Sequence, residues 1–223
     1  MKTFVKSSRE RGLTLVELFV VLAVASFLSL VFIFLPSSNI KTRAPRIQCV
    51  NNLKQIGMAA RVWEADHGGK YPFNVSETNG GSMKFTDGPN AWRHFQVMSN
   101  ELGTPKVLIC SAESDRKRKW TTNFATLSNS NLSYFINLNA SETDPQAILS
   151  GDRNITNGTP IKNGIFELTT NSPAGWTAEL HNHVGNLALS DGSVQQVSET
   201  GLRAFIENTS VFTNRLQMPV LGP

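Results

Sequence analysis

The sequence is poor in charged residues and in cysteine. Only 17% of its 223 residues are charged, and it has 2 cysteines, too few for a disulfide-rich scaffold. The net charge is +4, but the first twelve residues contain four basic residues and one acidic residue, so the rest of the chain is nearly neutral. No dense basic patch with interleaved aromatic residues occurs. The sequence therefore predicts no nucleic-acid partner.

Motifs of the common enzyme classes are also missing. The chain contains no Gly-x-Ser-x-Gly elbow, no P-loop and no His-Glu-x-x-His pair, which would indicate a hydrolase, a nucleotide-binding protein and a zinc protease respectively. We therefore predict that the protein is not an enzyme and has no cofactor.

Basic residues are absent from residues 13–35, where 23 residues include one ionisable side chain, Glu17. A helix of this length would extend about 34 Å, compared with about 30 Å for the hydrocarbon core of a bilayer. The run therefore predicts a transmembrane helix, and residues 1–12 before it are a basic leader. A conventional signal peptide cleaved after Ala25 is the alternative interpretation of the same run.

The chain after the apolar run has the pattern of one domain, residues 36–223, which begins with an amphipathic helix over residues 45–67. Pro45 is tolerated at a first helical position, so we expect it to open this helix. Apolar residues then recur at intervals of three and four, namely Ile47, Val50, Leu53, Ile56, Ala60 and Trp63.

Short elements between Asn-rich and Gly-rich turns are predicted for the remainder. The Asp191-Gly192 pair between two alternating runs indicates a tight hairpin over residues 185–197. A final helix follows Ser198 or Thr200, and the tail 211–223 has the pattern of a loop. Other predicted elements are a helix over 90–102 and strands over 106–110, 132–138, 147–150 and 164–168.

Gly12, Leu13 and Glu17, followed by the apolar run, resemble the class III signal of type IV pilins and type II secretion pseudopilins. The resemblance implies that a prepilin peptidase cleaves after Gly12, that the new N-terminal residue Leu13 is methylated, and that the helices pack into a filament. Leu13 departs from the phenylalanine that is commoner at this position.

Two further segments are similar to a bacterial subgroup of prepilin-like proteins. One is the stretch Asn-Asn-Leu-Lys-Gln-Ile-Gly at residues 51–57. The other is His181, followed after nine residues by Asp191 and Gly192. The resemblance identifies these three residues as a signature, without a role for it.

Glu17 is the residue for which the resemblance suggests a mechanism. After cleavage, the α-amino group of Leu13 would lie one helical turn away, in an apolar environment. The Glu17 carboxylate of a neighbouring subunit could neutralise it, and such a pair would set the register of assembly. The alternative is a carboxylate that lies at the membrane interface without a partner.

Cys49 and Cys110 are compatible with one disulfide in an oxidising compartment and also with two buried free thiols. Spacing alone does not decide between these states.

His181, His183 and Asp191 have the residue types of a metal site, but turn chemistry explains Asp191 fully and no other ligand has suitable spacing. We therefore predict no metal site there. A structural calcium ion held by Asp144, Asp152 and Asp191 stays open.

Together these patterns predict an α+β, pilin-like fold, in which one long N-terminal helix, half transmembrane and half amphipathic, packs on a small antiparallel sheet. The predicted function is a pseudopilin, a structural subunit of a type II secretion pseudopilus or a related type IV filament. Its partners would be the prepilin peptidase, other pseudopilin subunits and the bacterial inner membrane, with the domain in the periplasm. The alternative is a monomeric, membrane-anchored binding domain of the envelope that does not assemble.

Overall fold

The computed structural model of the chain describes residues 14–34, 40–209 and 211–221. The chain divides into two units after Lys41, and each unit is considered by itself. The predicted leader and the predicted cleavage site between Gly12 and Leu13 lie outside the described residues.

Helix α1 extends from Leu15 to Phe34 and begins with a capping box. The Thr14 amide and hydroxyl donate to Glu17 Oε2 at 2.8 and 2.9 Å, and the Glu17 amide donates back to the Thr14 hydroxyl at 3.3 Å. These bonds satisfy amide groups that have no partner within the helix. The backbone bond from Thr14, followed by the hydroxyl bond, holds the pKa of Glu17 below its usual value.

The predicted fold is wrong in its N-terminal half. Within residues 14–34, 40–209 and 211–221, no helix combines the length and the apolar character that crossing a membrane requires. The predicted transmembrane half, the single-pass anchor and the inner-membrane localisation derived from it are corrected accordingly.

Helix α2 extends from Ile40 to Asp66 and contains Pro45 in its interior. The prediction that Pro45 opens the helix is wrong, because the helix begins at Ile40 and continues through Pro45, although a proline at an interior position removes one backbone hydrogen bond. The predicted spacing of three and four residues is confirmed for Leu53, Ile56, Ala60 and Trp63, which are buried. The start of the predicted face is wrong, since Ile47 is exposed and Val50 is half-buried, and Cys49 is the buried residue there.

The domain is α+β, with a six-stranded antiparallel sheet in the order β4-β8-β1-β2-β6-β7. Two further short strands, β3 and β5, form a separate antiparallel pair. The strands are β1 (Tyr134–Asn137), β2 (Ile148–Asp152), β3 (Ile155–Thr156), β4 (Ile165–Thr169), β5 (Gly175–Trp176), β6 (Val184–Leu189), β7 (Val194–Ser198) and β8 (Thr213–Gln217).

Both faces of the sheet are covered. Tyr134 and Ile136 of β1 belong to the same apolar cluster as the buried face of α2. Phe135, which points to the opposite face, belongs to a second cluster. Alternation of side chains along a strand therefore divides the core into two layers, and this explains why every residue of β1 is buried.

Three further helices complete the domain: α3 (Ala91–Val97), α4 (Ser99–Leu102) and α5 (Glu199–Glu207). The Ser198 hydroxyl accepts from the Gly201 amide at the start of α5, as an N-cap does. The predicted hairpin is present as β6 and β7, with the Asp191-Gly192 pair at its turn.

Two local predictions are wrong. Residues 106–110 do not form a strand; Pro105–Leu108 is a 3-10 turn, which Pro105 at its first position favours. The tail is not only loop, since it contains β8, which pairs with both β4 and β1.

Strand β8 is anchored by a buried polar contact that its sequence does not reveal. The Gln217 amide nitrogen donates to the carbonyls of Phe85 and Gly88, both at 2.8 Å. Its Oε1 atom must therefore accept from His94 Nε2. His94 Nδ1 then accepts from the Ser82 hydroxyl at 2.7 Å, so the network selects the neutral Nε2–H form of His94.

Burial lowers the pKa of His94 to about 4, an effect that the bond to Gln217 only partly offsets. The unfolded histidine titrates near 6.5, so between these values only the unfolded chain gains a proton. The stability that depends on neutral His94 is complete above pH 6.5 and is lost as the pH falls towards 4.

We expect His94→Gln to remove this dependence. Relative to the variant, the free energy of unfolding of the native protein should fall by about 3 kcal/mol between pH 7 and pH 4. Urea unfolding followed by circular dichroism at several pH values measures both proteins. Other titrating groups are common to both proteins, so their effects cancel in the difference between the two free energies of unfolding. If both free energies change equally with pH, the buried neutral state of His94 is contradicted.

Candidate functional site

A disulfide joins helix α2 to the loop after the 3-10 turn. Cys49 and Cys110 are bonded at 2.04 Å, with their Cα atoms 5.2 Å apart. Both residues are buried, and 61 positions separate them in sequence. The Ser111 hydroxyl donates to the Pro45 carbonyl at 3.0 Å, so a second contact attaches the same loop to α2.

His181 lies directly against this disulfide. Its Nε2 atom is 3.4 Å from Cys110 Sγ and 3.4 Å from Asp152 Oδ2. The His181 side chain is 3% exposed and that of Asp152 is 0% exposed. The loop reaches this position through positive φ angles at Leu180 and Asn182, a conformation that leucine rarely adopts. A sulfur pair, an imidazole and a carboxylate are thus buried together.

One carboxylate oxygen of Asp152 accepts hydrogen bonds from a neighbouring residue, and the other has no hydrogen-bond partner among the described residues. The backbone amide and the side-chain amide of Asn186 donate to its Oδ2 atom at 2.8 and 2.7 Å. Its Oδ1 atom is buried and has no hydrogen-bond partner among the described residues. A buried carboxylate oxygen without a partner is costly, which marks Asp152 as more than a packing residue.

The protonation states in this site follow from burial. Burial raises the pKa of Asp152 to about 7, although the bonds from Asn186 and the charge of Arg46 oppose the change. Burial, and then the charge of Arg46, lower the pKa of His181 to about 4. His181 is therefore neutral near pH 7, and its contact with Asp152 is not an ion pair there.

An ion cluster with a buried Arg153–Glu113 pair and an exposed third member, Glu179, holds the surrounding loops. Arg153 donates to both carboxylate oxygens of Glu113, at 2.6 and 2.9 Å, and it also pairs with Glu179. Burial alone would raise the pKa of Glu113, but the bonds and charge of Arg153 outweigh it and the pKa is lowered. Glu179 lies two residues before His181, so the cluster helps to place that histidine.

The second half of the signature, Asp191 and Gly192, contacts α2 nearer the C-terminal end of that helix. The Asp191 carbonyl accepts from Arg61 Nη1 at 2.6 Å, and the Asp191 carboxylate accepts from the Ser193 amide at 2.8 Å within the turn. Gly192 has a φ of +85°, and a Cβ atom built on Gly57 would be 3.6 Å from its Cα atom. The turn therefore approaches α2 closely, where both partners are glycine.

The spacing of the signature is explained by two matching lengths. Cys49 and Arg61 are twelve residues apart on α2, which corresponds to about 18 Å. The six residues of β6, between His181 and Asp191, extend about 20 Å. The two ends of β6 therefore lie near the two ends of the α2 stretch from Cys49 to Arg61. The nine residues between His181 and Asp191 include β6, which accounts for their number.

The segment 51–57 has a structural role in the same contact. Asn52 donates to the Ile109 carbonyl at 3.0 Å and to the Tyr134 hydroxyl at 3.3 Å. Leu53 and Ile56 are fully buried. Its buried positions therefore face the sheet and the disulfide loop, whereas Asn51, Lys54 and Gln55 are exposed.

Comparison of the chain with family models, with curated proteins and with solved structures gives no match. The family resemblance of the leader and the signature thus stays a prediction, and the site is interpreted from its own chemistry.

The structure brings together some of the predicted site residues and separates others. Among the described residues, the group with metal-ligand spacing is Cys49, Cys110 and His181, whose ligand atoms all lie within 4.8 Å of one another. His183 is not part of it, since its Nδ1 atom lies 3.1 Å from the Trp176 carbonyl. Asp191 belongs to the hairpin turn and not to a histidine cluster.

Two residues of this site were not recognised in the sequence as partners of the disulfide and His181, namely Asp152 and Arg46. Asp152 was considered only as a calcium ligand together with Asp144 and Asp191. In the structure, Asp152 faces His181, whereas Asp191 forms the turn. The signal for Asp152 was a carboxylate two residues after the predicted strand 147–150, which would be buried if the strand continued, and burial of a carboxylate needs a reason.

Reduction of the Cys49–Cys110 disulfide should lower the free energy of unfolding by about 4 kcal/mol, because the bond closes a long loop in the unfolded chain. Denaturant unfolding with and without a phosphine reductant measures this loss. The double variant Cys49→Ala/Cys110→Ala is the matched control. Its free energy of unfolding should be lower by a similar amount without reductant and should not change further when reductant is added. If reductant changes the stability of both proteins equally, the assignment of the Cys49–Cys110 disulfide is contradicted.

Proposed function

We propose that this chain is a non-enzymatic structural subunit of a type II secretion pseudopilus or a related type IV pilus-like filament. In this proposal, a prepilin peptidase cleaves between Gly12 and Leu13, and the subunits then assemble through helix α1. The observation that carries the proposal is the exposed apolar surface of α1, which starts next to a single carboxylate.

The surface of α1 supports an assembly role. Every residue from Thr14 to Leu30 is exposed, and large apolar side chains are exposed throughout this stretch, including Leu15, Phe19 and Phe27. A continuous apolar surface of this extent indicates a binding surface. Ser26 and Ser29 donate to carbonyl groups of the helix itself, so their hydroxyl groups do not interrupt its apolar character.

The geometry of Glu17 is compatible with two simultaneous tasks. Both bonds from Thr14 go to Oε2, so the capping box does not use Oε1. This second oxygen can accept from the α-amino group of Leu13 on a neighbouring subunit. The pair would form in the apolar environment between packed helices, where an unpaired charge is costly.

The domain contributes shape and stability in this proposal. The signature residues His181, Asp191 and Gly192 face α2 at two points, and the disulfide joins α2 to the loop after the 3-10 turn at one of them. These contacts support a rigid domain that tolerates repeated packing, as a filament subunit requires.

The mature N-terminus gives the most direct test. Mass spectrometry of the protein from its native host should find a chain that starts at a methylated Leu13. A chain that starts at Met1 would contradict processing and favour a subunit that does not assemble. A start near Ser26 would indicate an ordinary signal peptide and a released domain.

Substitutions at the start of α1 separate the charge of Glu17 from its capping role. Glu17→Gln keeps an oxygen that can accept from Thr14, because glutamine also serves in a capping box, but it removes the charge. We expect at least about a tenfold loss of co-purification with an untagged second copy, equivalent to about 1.4 kcal/mol or more. Cleavage after Gly12 should continue.

Thr14→Ala is the matched control, since it removes the capping hydroxyl and keeps the carboxylate. It should co-purify within about twofold of the native protein, because the charge is unchanged and a cap contributes about 1 kcal/mol to the helix alone. Equal losses in Thr14→Ala and Glu17→Gln would assign Glu17 to helix capping and contradict the charge-pair role.

A further inference from the structure

We propose that the Cys49–Cys110 disulfide conceals a metal site: after reduction, the two cysteines, His181 and Asp152 bind one Zn²⁺ ion. The proposal is independent of filament assembly. It rests on the distances between the potential ligand atoms, on their burial and on the charge balance around them.

The distances fit tetrahedral zinc. With bond lengths of about 2.3 Å to sulfur, 2.0 Å to nitrogen and 2.1 Å to oxygen, a tetrahedral site places sulfur and nitrogen about 3.5 Å apart and nitrogen and oxygen about 3.4 Å apart. His181 Nε2 lies 3.4 Å from Cys110 Sγ and 3.4 Å from Asp152 Oδ2. Two edges of the tetrahedron thus exist before any metal enters. Asp152 lies near His181 but outside the group of Cys49, Cys110 and His181, whose ligand atoms are all within 4.8 Å of one another, so its carboxylate and the sulfur atoms must approach each other when zinc binds. The two sulfur atoms must separate to about 3.8 Å, which side-chain rotation can provide once their bond is broken.

The surroundings of Asp152 resemble those of a metal ligand. Asn186 donates twice to its Oδ2 atom, as the residues that orient ligating carboxylates do. Its Oδ1 atom is buried without a partner among the described residues. A cation bound at Oδ2 would balance the negative charge of this buried carboxylate, while Oδ1 would keep no hydrogen-bond partner among the described residues.

The charges balance when one zinc ion is bound. Two thiolates and the Asp152 carboxylate supply three negative charges, and zinc supplies two positive charges. Arg46 supplies the third, since it lies one helical turn before Cys49 and interacts electrostatically with Asp152. The loaded site is therefore neutral, and burial does not oppose it as it would a charged site.

The chemistry requires a two-electron reductant, and we assign this role to a dithiol. One of its thiolates attacks a sulfur of the protein disulfide, the S–S bond breaks, and a mixed disulfide forms. The second thiol of the reductant displaces the protein sulfur, so the reductant leaves as a cyclic disulfide and the protein holds two thiols. Zinc binding then releases the two thiol protons to solvent.

The test uses the full-length protein, oxidised or reduced with a phosphine, which is oxidised to its phosphine oxide as it cleaves the bond. After equilibrium dialysis against Zn²⁺, elemental analysis should find about one zinc ion per reduced chain and less than about a tenth per oxidised chain. Co²⁺ should give thiolate-to-metal charge-transfer absorption only in the reduced protein.

Two histidines of the same loop provide matched variants. His181→Asn should weaken the affinity for zinc by at least about tenfold, whereas His183→Asn should leave it unchanged, since His183 contacts the Trp176 carbonyl. Asp152→Asn should also weaken binding. Equal affinities of the His181 and His183 variants would overturn the site.

Two other results would also overturn the proposal. One is a reduced, folded protein that takes up no zinc, and the other is equal uptake by the oxidised and reduced proteins. If reduction unfolds the domain, Zn²⁺ should restore its thermal transition, because a metal that binds only the folded chain stabilises it. Failure of Zn²⁺ to restore the transition would count against the site.

Discussion

The contact between helix α2 and the sheet is the constraint on which the rest of the domain depends. It has a covalent end at Cys49 and a polar end at Arg61, with the fully buried Leu53 and Ile56 between them. Apolar burial supplies most of the stabilisation in such a contact. The disulfide and the hydrogen bonds add specificity, because they fix the position of the helix along the sheet. The hairpin, the disulfide loop and the His181 loop all take their positions from this register.

The same contact concentrates the chemistry of the domain in one place. His181 and Asp152 are buried beside the disulfide because the strand that follows His181 must lie along α2. Once buried, a neutral imidazole and a carboxylate with an elevated pKa share a small volume with two sulfur atoms. A filament subunit needs only the rigidity that results. The arrangement also has the ligand types of a zinc site, so the rigidity proposed for assembly and the zinc binding proposed for the reduced form are separate properties.

Much of the fold could be predicted from local patterns. The periodicity of α2, the Asp-Gly hairpin and the Ser198 cap are encoded within a few residues, so no distant contact can change them easily. Strand β8 could not be predicted, because its stability comes from pairing with two strands that precede it by many residues. The loss of the predicted strand at 106–110 has the opposite cause, since Pro105 and a local 3-10 turn prevail over a short β-branched run.

The sequence by itself determined the periodicity of α2 from Leu53 onwards, the Asp-Gly hairpin and the positions of the signature residues, because these depend on residue type and short spacing. Only the tertiary structure decided that Cys49 and Cys110 lie close enough to bond. It likewise decided that His181 meets Asp152 and that His183 does not join them. The physical reason is that a side chain's partners depend on how distant segments pack, and 61 positions separate the two cysteines. Because β6 is about as long as the stretch of α2 that it faces, the sequence spacing between His181 and Asp191 brings both residues next to that helix.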